Sequence, residues 1–426
     1  MRNDRESDTT KRVPNSRERS HSLSRPGAGL RILYIGALPP DSGGGGTAIV
    51  GFQLLRGLAA LGHEVRALSP ATEQVLAAGD PFARAHPELS ITRFPVRAFP
   101  VPYFDAGDPL AAESRRIEGE GIRRGFHAAV AEARPHVVIV GRGLFVWHVA
   151  DLAQAEGIPF IVMIQDVSTM SAIVERYPAL VREKLLAQFR QARCIVAVAN
   201  HLAAGIQGLG LADVRVVPNA VDHRKFAPRP KDPALLGQLG IGPNQPTVLH
   251  ASNLRPAKRP LDVVESAEQV LRHGAEVVYV IVGDGPYRPE MEAQCKRRGL
   301  ERQFRFVGWI DHDRMPDFIN LADAVVLPSQ REGLALVYLE TQACGKLLIA
   351  SDIPAAREVI HDGETGLLFR KGDIADLTEK TLLALGNELL RSAIGQRARQ
   401  SVLNHTLDGF VTSYERLISD AARRDS

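Results

Sequence analysis

Cysteine is scarce in this chain of 426 residues: Cys194, Cys295 and Cys344 are odd in number, far apart and in no metal-ligand spacing. That excludes a disulfide scaffold and a cysteine-built zinc site, and it predicts a reducing compartment. Long apolar runs are missing as well. The nearest, Val137 to Ala153, is broken by Arg142 and falls short of the roughly 18 apolar residues of a membrane span. Charge of one sign is also lacking. Net charge is +3, and residues 1–29 alone hold seven Lys/Arg against four Asp/Glu, again +3, so the remainder is neutral and a nucleic acid partner gains no support. Those first residues have neither the apolar core of a signal peptide nor enough apolar side chains to fold, and read as a disordered tail. A cytoplasmic protein is expected, with peripheral contact at the inner membrane as the alternative that a basic tail allows.

An apolar fraction of 45% with 24% charged residues is ordinary for a globular chain, and the length calls for two domains of about 150 to 200 residues. Short β-branched runs alternate with amphipathic stretches: Arg31 to Gly36, His63 to Leu68, Val137 to Val140, Phe160 to Ile164, Ile195 to Val198 and Val214 to Val217. A loose, Pro-rich stretch from Asp222 to Pro246 follows. A second series then begins with Thr247 to Ala251, Val277 to Val282, Phe304 to Val307, Ala324 to Leu327 and Leu347 to Ala350. Strand and helix in alternation predict α/β domains with doubly wound parallel sheets, whose strand ends face a common cleft. The expected units are a tail 1–29, a first domain 30–218, a second domain 219–400 and a terminal segment 401–426. A last helix from Leu383 to Asp420 exceeds what one domain needs and is expected to cross back to the first.

Two loops carry chemistry. Leu38 to Thr47 follows the first strand and includes Gly43, Gly44, Gly45 and Gly46 directly before a helix, so backbone N–H groups can approach a phosphate or sugar. A dinucleotide fold is disfavoured, because Ala48 stands at the third glycine position and the second strand ends at Leu68-Ser69 without a carboxylate. A P-loop is excluded by the missing lysine before Thr47. In the second half, Leu327-Pro328-Ser329-Gln330-Arg331-Glu332-Gly333 links a strand to a helix expected to run to about Cys344. Gly333 and the N–H groups of Leu334, Ala335 and Leu336 suit a diphosphate at the positive helix end. Glu332 can accept from vicinal sugar hydroxyls, and Glu340 can do the same for a ribose.

With these loops in place the chain resembles the family 4 glycosyltransferases, over about residues 30 to 420. The Glu-x7-Glu element stands as Glu332 to Glu340. Further landmarks are Leu61-Gly62-His63-Glu64-Val65, Val217-Pro218-Asn219-Ala220-Val221-Asp222, Val282-Gly283-Asp284-Gly285-Pro286, Phe306-Val307-Gly308-Trp309 and Glu358-Val359-Ile360-His361-Asp362-Gly363. The resemblance implies the GT-B fold, two Rossmann-like domains facing a cleft, with an N-terminal acceptor domain and a C-terminal nucleotide-sugar domain. It implies retaining, metal-independent transfer from a UDP- or GDP-linked sugar to an acceptor hydroxyl, in polysaccharide, glycolipid or small-molecule glycoside synthesis. No cofactor beyond the nucleotide sugar is implied. Carried over residue by residue, Glu332 holds the donor sugar, Glu340 the ribose, and the backbone of Gly333 to Leu336 the diphosphate. Arg255 and Lys258 offset its charge, and Gly44, Gly45 and Gly283 border the donor. The commonest family pattern would put the arginine at Asn253, while some members match Arg255.

The first domain departs from the family. Where many members have His-x-His stand Ile139-Val140-Gly141-Arg142, and where a later His contacts the sugar or acceptor stand Gln165-Asp166. Gln165 cannot act as acid or base near neutral pH. Asp166 either supplies that chemistry or caps the following helix. Asp311-His312-Asp313 is read as a helix cap rather than a metal motif, and His63 and His148 are assigned to structure. Phe94 to Phe104 is an aromatic, apolar segment that either packs as a loop or lines an acceptor groove or membrane contact. Two other functions stay open on this fold: a sugar-nucleotide epimerase or hydrolase, and a non-catalytic subunit that activates a partner transferase.

Overall fold

Two parallel sheets follow one another along the chain in the computed structural model, which describes residues 29–39, 45–96, 109–167, 169, 173 and 177–423. The tail 1–28, Gly44 and residues 97–104 of the aromatic segment lie outside the described residues. The first sheet comprises β1 (Arg31–Ile35), β2 (Glu64–Ala71), β3 (Ser90–Pro95), β4 (Val137–Val140), β5 (Phe160–Ile164), β6 (Cys194–Ala197) and β7 (Val214–Val216). They run in the order β3-β2-β1-β4-β5-β6-β7. The second comprises β8 (Thr247–Ala251), β9 (Val278–Val282), β10 (Phe304–Gly308), β11 (Ala324–Leu327), β12 (Leu347–Ser351) and β13 (Leu367–Phe369), in the order β10-β9-β8-β11-β12-β13.

Every residue of β4, β5, β8, β9, β11 and β12 is buried, which is why these strands are mainly apolar with helices on both faces, Thr247, His250 and Ser351 being the buried polar exceptions. Strand order reverses between β1 and β4 and between β8 and β11, and crevices open at such points. The loops after these four strands contain the glycine segment, Arg142, the Arg255–Lys258 segment and Glu332, so topology alone gathers the chemistry-bearing loops at two switch points.

The single helix expected over Leu383 to Asp420 is corrected to three: Ile374–Gly386, Glu388–Ser401 and Leu407–Arg423. Asn387 makes the first break, because its side chain accepts from Leu390 N at 2.9 Å and starts a new helix. Thr406 makes the second, taking the N–H of Gly409 at 3.1 Å. Helix Leu407–Arg423 lies on helix Gly46–Ala60. It places Phe410, Val411, Tyr414 and Ile418 in one apolar cluster with Ile32, Tyr34 and Leu54. A Cβ at Gly57 would sit 2.2 Å from Val411 Cγ2, so this close helix contact requires glycine. The chain thus passes between the domains twice, and the passages are tied together: Val221 N donates to His405 O at 3.0 Å and Val221 bridges Thr406.

Phe94 is a second correction. It belongs to edge strand β3 and is buried among apolar first-domain side chains, so it neither packs as part of a loop nor lines a groove or membrane contact. The Pro-rich stretch after Asp222 also includes a short helix, Pro233–Gln238, capped by Asp232. No helix among the described residues is long and apolar enough to cross a membrane.

Candidate functional site

The β11 loop reaches Glu332 before any helix begins. Helix Leu336–Ala343 starts three residues later than the sequence suggests, with Ala335 at its N-cap, so Glu332 and Glu340 are not two turns apart on one helix. Glu332 stands on the loop and Glu340, buried, in the second turn. The Glu332 carboxylate takes hydrogen bonds from Lys258 Nζ at 2.5 and 2.7 Å and from Ser329 Oγ at 2.6 Å. A charged pair of this kind, half-shielded from water, is held by charge-assisted hydrogen bonds. No described protein group accepts the N–H of Gly333, Leu334 or Ala335. Three adjacent unclaimed donors at the start of a helix are suited to an anion.

Lys258 owes its place to a strained turn. Leu254 and Arg259 have φ of 35° and 47°, which non-glycine residues adopt only when their surroundings compel it. Here the constraint is a hydrogen-bond chain. Leu254 N donates to Ser252 Oγ (3.2 Å), Ser252 Oγ to His250 Nε2 (2.8 Å), and His250 Nδ1 to Val326 O (2.9 Å), linking the β8 loop to β11. Burial pushes the His250 imidazole down to about 4, so the ring is neutral and keeps these roles. Arg255, half-buried, opens the one-turn segment that ends at Lys258. Gly283 has φ of 106°, and a Cβ there would lie 1.9 Å from Ser252 O, so its glycine serves close packing of β9 on this turn.

Glu340 is oriented by a residue that sequence reasoning assigned to a cap. Asp311 is indeed the cap, accepting from Asp313 N at 3.0 Å. His312, however, donates from Nε2 to Glu340 Oε1 at 2.6 Å, while its Nδ1 accepts from Lys225 Nζ at 3.3 Å. Lys225 also pairs with Asp313 and holds that carboxyl below its ordinary value. One Glu340 oxygen is therefore committed to His312.

The first domain closes over this loop. A Cβ on Gly333 would lie 2.1 Å from Gln165 O, so backbone meets backbone across the cleft. A Cβ on Gly46, at the start of the first-domain helix that Gly45 caps, would touch Leu336 Cδ1 at 3.5 Å, and Leu336 joins the first-domain apolar cluster. The buried Gln165 side-chain nitrogen has no hydrogen-bond partner among the described residues. Asp166 Oδ1 accepts from Thr169 N at 3.0 Å, the capping one of its two readings. Three more contacts join the domains. His201 Nδ1 lies 2.7 Å from Glu358 Oε1 and its Nε2 3.2 Å from Glu332 O, and Asn219 Nδ2 donates to Leu334 O (2.7 Å).

Arg93, also missed from sequence, is a buried strut. It pairs with Asp80 at 2.6 Å and donates to Ser69 Oγ at 2.9 Å and to Leu38 O at 3.2 Å, fixing the base of the glycine loop. No group of three or more potential metal ligands stands together among the described residues.

Two family profiles divide the chain. Residues 44–220 match the Glycosyl transferase 4-like domain and residues 232–401 match Glycosyl transferases group 1. N-acetyl-alpha-D-glucosaminyl L-malate synthase of Bacillus anthracis is 27% identical over 384 residues, 89% of this chain and 95% of that protein. A D-inositol 3-phosphate glycosyltransferase of Jonesia denitrificans is 30% identical over 53% of this chain and 57% of its own length. Among solved structures, Anabaena HepE in complex with UDP and glucose superposes with a TM-score of 0.74 at 18% identity, covering 92% of this chain and all of that one. Sucrose-phosphate synthase from Thermosynechococcus elongatus also gives 0.74, at 20% identity, over 92% of this chain and 98% of its own. These two likenesses establish the shared fold.

Proposed function

Since the chain belongs to the GT-B glycosyltransferases that join a 4-like domain to a group 1 domain, we propose that it transfers a sugar, with retention, from a UDP- or GDP-linked donor to an acceptor hydroxyl. The observation that carries this reading is the Glu332 loop, where a carboxylate, an ammonium and three unclaimed N–H groups stand together under the first domain.

In this reading the donor diphosphate sits on the N–H groups of Gly333 to Leu336. Lys258 and Arg255 offset the charge that grows on it as the glycosidic bond breaks. Lys258 turns toward the diphosphate and leaves Glu332 to accept from sugar hydroxyls. Glu340, with one oxygen on His312, offers the other to the ribose. Gln165 supplies its unclaimed N–H to the sugar from the opposite wall. Gly45 borders the donor from the first domain, and Gly283 supports the turn that presents Lys258. Asp166 acts by capping. The acceptor oxygen attacks the anomeric carbon on the face the diphosphate leaves, the bond from that carbon to the diphosphate oxygen breaks, and the acceptor proton passes to the departing phosphate. No protein base is required. The UDP held by the HepE structure favours a uridine donor.

A panel of UDP- and GDP-sugars, read by nucleotide release with an acceptor library, tests the proposal. Glu332→Gln and Lys258→Ala are each expected to lower kcat/KM by about a hundredfold, the usual cost of removing one charge-stabilising group. A wild type that releases nucleotide from no donor, or variants as active as wild type, would refute it.

A further inference from the structure

A planar trans peptide points its C=O and its N–H in opposite directions, so whatever holds the carbonyl also aims the amide of the next residue. In the loop Glu332 to Ala335 two carbonyls are held, and both holders lie outside the nucleotide-sugar sheet. His201, in the first turn of helix Asn200–Gly208 after β6, takes Glu332 O. Asn219, at the first interdomain passage, takes Leu334 O. The amides aimed the other way are those of Gly333 and Ala335, two of the three that no described protein group accepts.

His201 is itself held from the second domain. Glu358 accepts from Asn200 N (2.8 Å), His201 N (2.8 Å) and Asn200 Nδ2 (3.0 Å) as well as from the His201 ring. Ala199, at the N-cap of that helix, has no side chain able to cap it, so Glu358 supplies the cap across the domain boundary. Backbone and side-chain hydrogen bonds from Asn200 and His201 hold the Glu358 carboxyl below its ordinary value, against a burial that acts the other way. The His201 ring therefore stands between two oxygen acceptors, a carboxylate of one element and a carbonyl of the donor loop. Asn219 is fixed in turn by His405 Nδ1, which donates to Asn219 O at 3.1 Å.

We infer that His201 and Asn219 are positioning residues for the donor. They pull back the carbonyls of Glu332 and Leu334 so that the amides of Gly333 and Ala335 face the diphosphate, with Glu358 fixing His201 in place. This rests on the diphosphate reading of the loop. It makes the Gly333 amide depend on a residue of the other domain, so the loop is fully set for its ligand only while the domains stand in this closed arrangement.

Calorimetric titration with UDP and with GDP, beside steady-state kinetics, tests the inference. His201→Leu and Asn219→Ala are each expected to weaken nucleotide binding about tenfold and to raise the donor KM more than they lower kcat. His201→Gln, whose amide carries two N–H groups, is expected to recover most of the loss. Recovery by Gln and a KM-weighted effect are results that a merely structural residue would not give. Glu358→Gln, which preserves shape, is expected to weaken binding severalfold and stands in should His201→Leu fail to fold. Wild-type protein that takes up neither nucleotide overturns the donor reading and this inference together. Tight wild-type binding left unchanged in His201→Leu and Asn219→Ala, or in Glu358→Gln, overturns this inference alone.

Discussion

Alanine at Gly333 is expected to lower kcat/KM on the order of a thousandfold while moving Tm by no more than a few degrees. The added Cβ would lie 2.1 Å from Gln165 O, 2.8 Å from Gln165 C and 3.2 Å from Asp166 Cα. All three are backbone atoms, so no side chain can rotate away. Relief comes only by moving the donor loop or parting the domains. Either displaces the reacting groups, and a shift of about 1 Å at a preorganised site costs around a hundredfold, before the loss of amide contacts to the diphosphate is added. Stability is spared because Gly333 lies in a loop outside both sheets. Gly208→Ala, with nothing within 4 Å of its Cβ, is the matched control and should behave as wild type. Activity near wild type in Gly333→Ala would mean that turnover does not pass through this closed arrangement.

Glu118→Gln is expected to stabilise the protein by roughly 3 kcal/mol at pH 7, more than most surface changes achieve. Glu118 lies fully buried in helix Pro109–Ala133, neither of its oxygens has a hydrogen-bond partner among the described residues, and His148 Nε2 is 3.7 Å away. Burial pushes the carboxyl up to about 8, with Arg142 opposing. The folded protein therefore keeps the proton up to about pH 8, whereas the unfolded chain releases it near 4.5. Each pH unit between those values costs the fold about 1.4 kcal/mol. Two histidines act in the other direction. Burial lowers His148 and His250 to about 4, so between pH 6.5 and 4 the unfolded chain gains protons that the folded one refuses, and stability falls with acid. Below pH 6.5 the two histidines outweigh the one carboxyl; above it only Glu118 remains. These three groups place the stability maximum near pH 6.5. Urea unfolding midpoints from pH 5 to 8.5 check this: the alkaline decline between 6.5 and 8 should vanish in Glu118→Gln, and an unchanged decline would assign it elsewhere.

The parts of the fold legible in sequence are those whose cause is local. β4, β5 and β11 are buried on both faces and are apolar without interruption, so they announce themselves. β3 and β13 did not. Ser90-Ile91-Thr92-Arg93-Phe94-Pro95 alternates and ends in proline because it is an edge strand, and Leu367-Leu368-Phe369 is too short to carry a period. At the site, the Glu332 loop stands out as a glycine-bearing link from a strand to a helix, whereas Lys258 is singled out only through the family resemblance and Glu340 draws its weight from the same source; the structure brings Lys258 and Glu332 together across 74 positions. The residues that hold them are not legible. His201 meets Glu332 across 131 positions, Arg93 meets Leu38 across 55, and His250 meets Val326 across 76. A histidine or arginine in a strand or helix start carries no mark of a partner so distant, and only the folded chain supplies it.

Helix Leu407–Arg423 also sets an order of events during synthesis. The first-domain sheet emerges early from the ribosome, yet the surface formed by Ile32, Tyr34, Leu54 and Leu58 is covered by Phe410, Val411 and Tyr414. For most of translation that surface stays open to water and to other nascent chains, while the second domain, whose own cluster runs from Val248 to Ile394, can close first. The N-terminal half of the protein is thus the last to be finished.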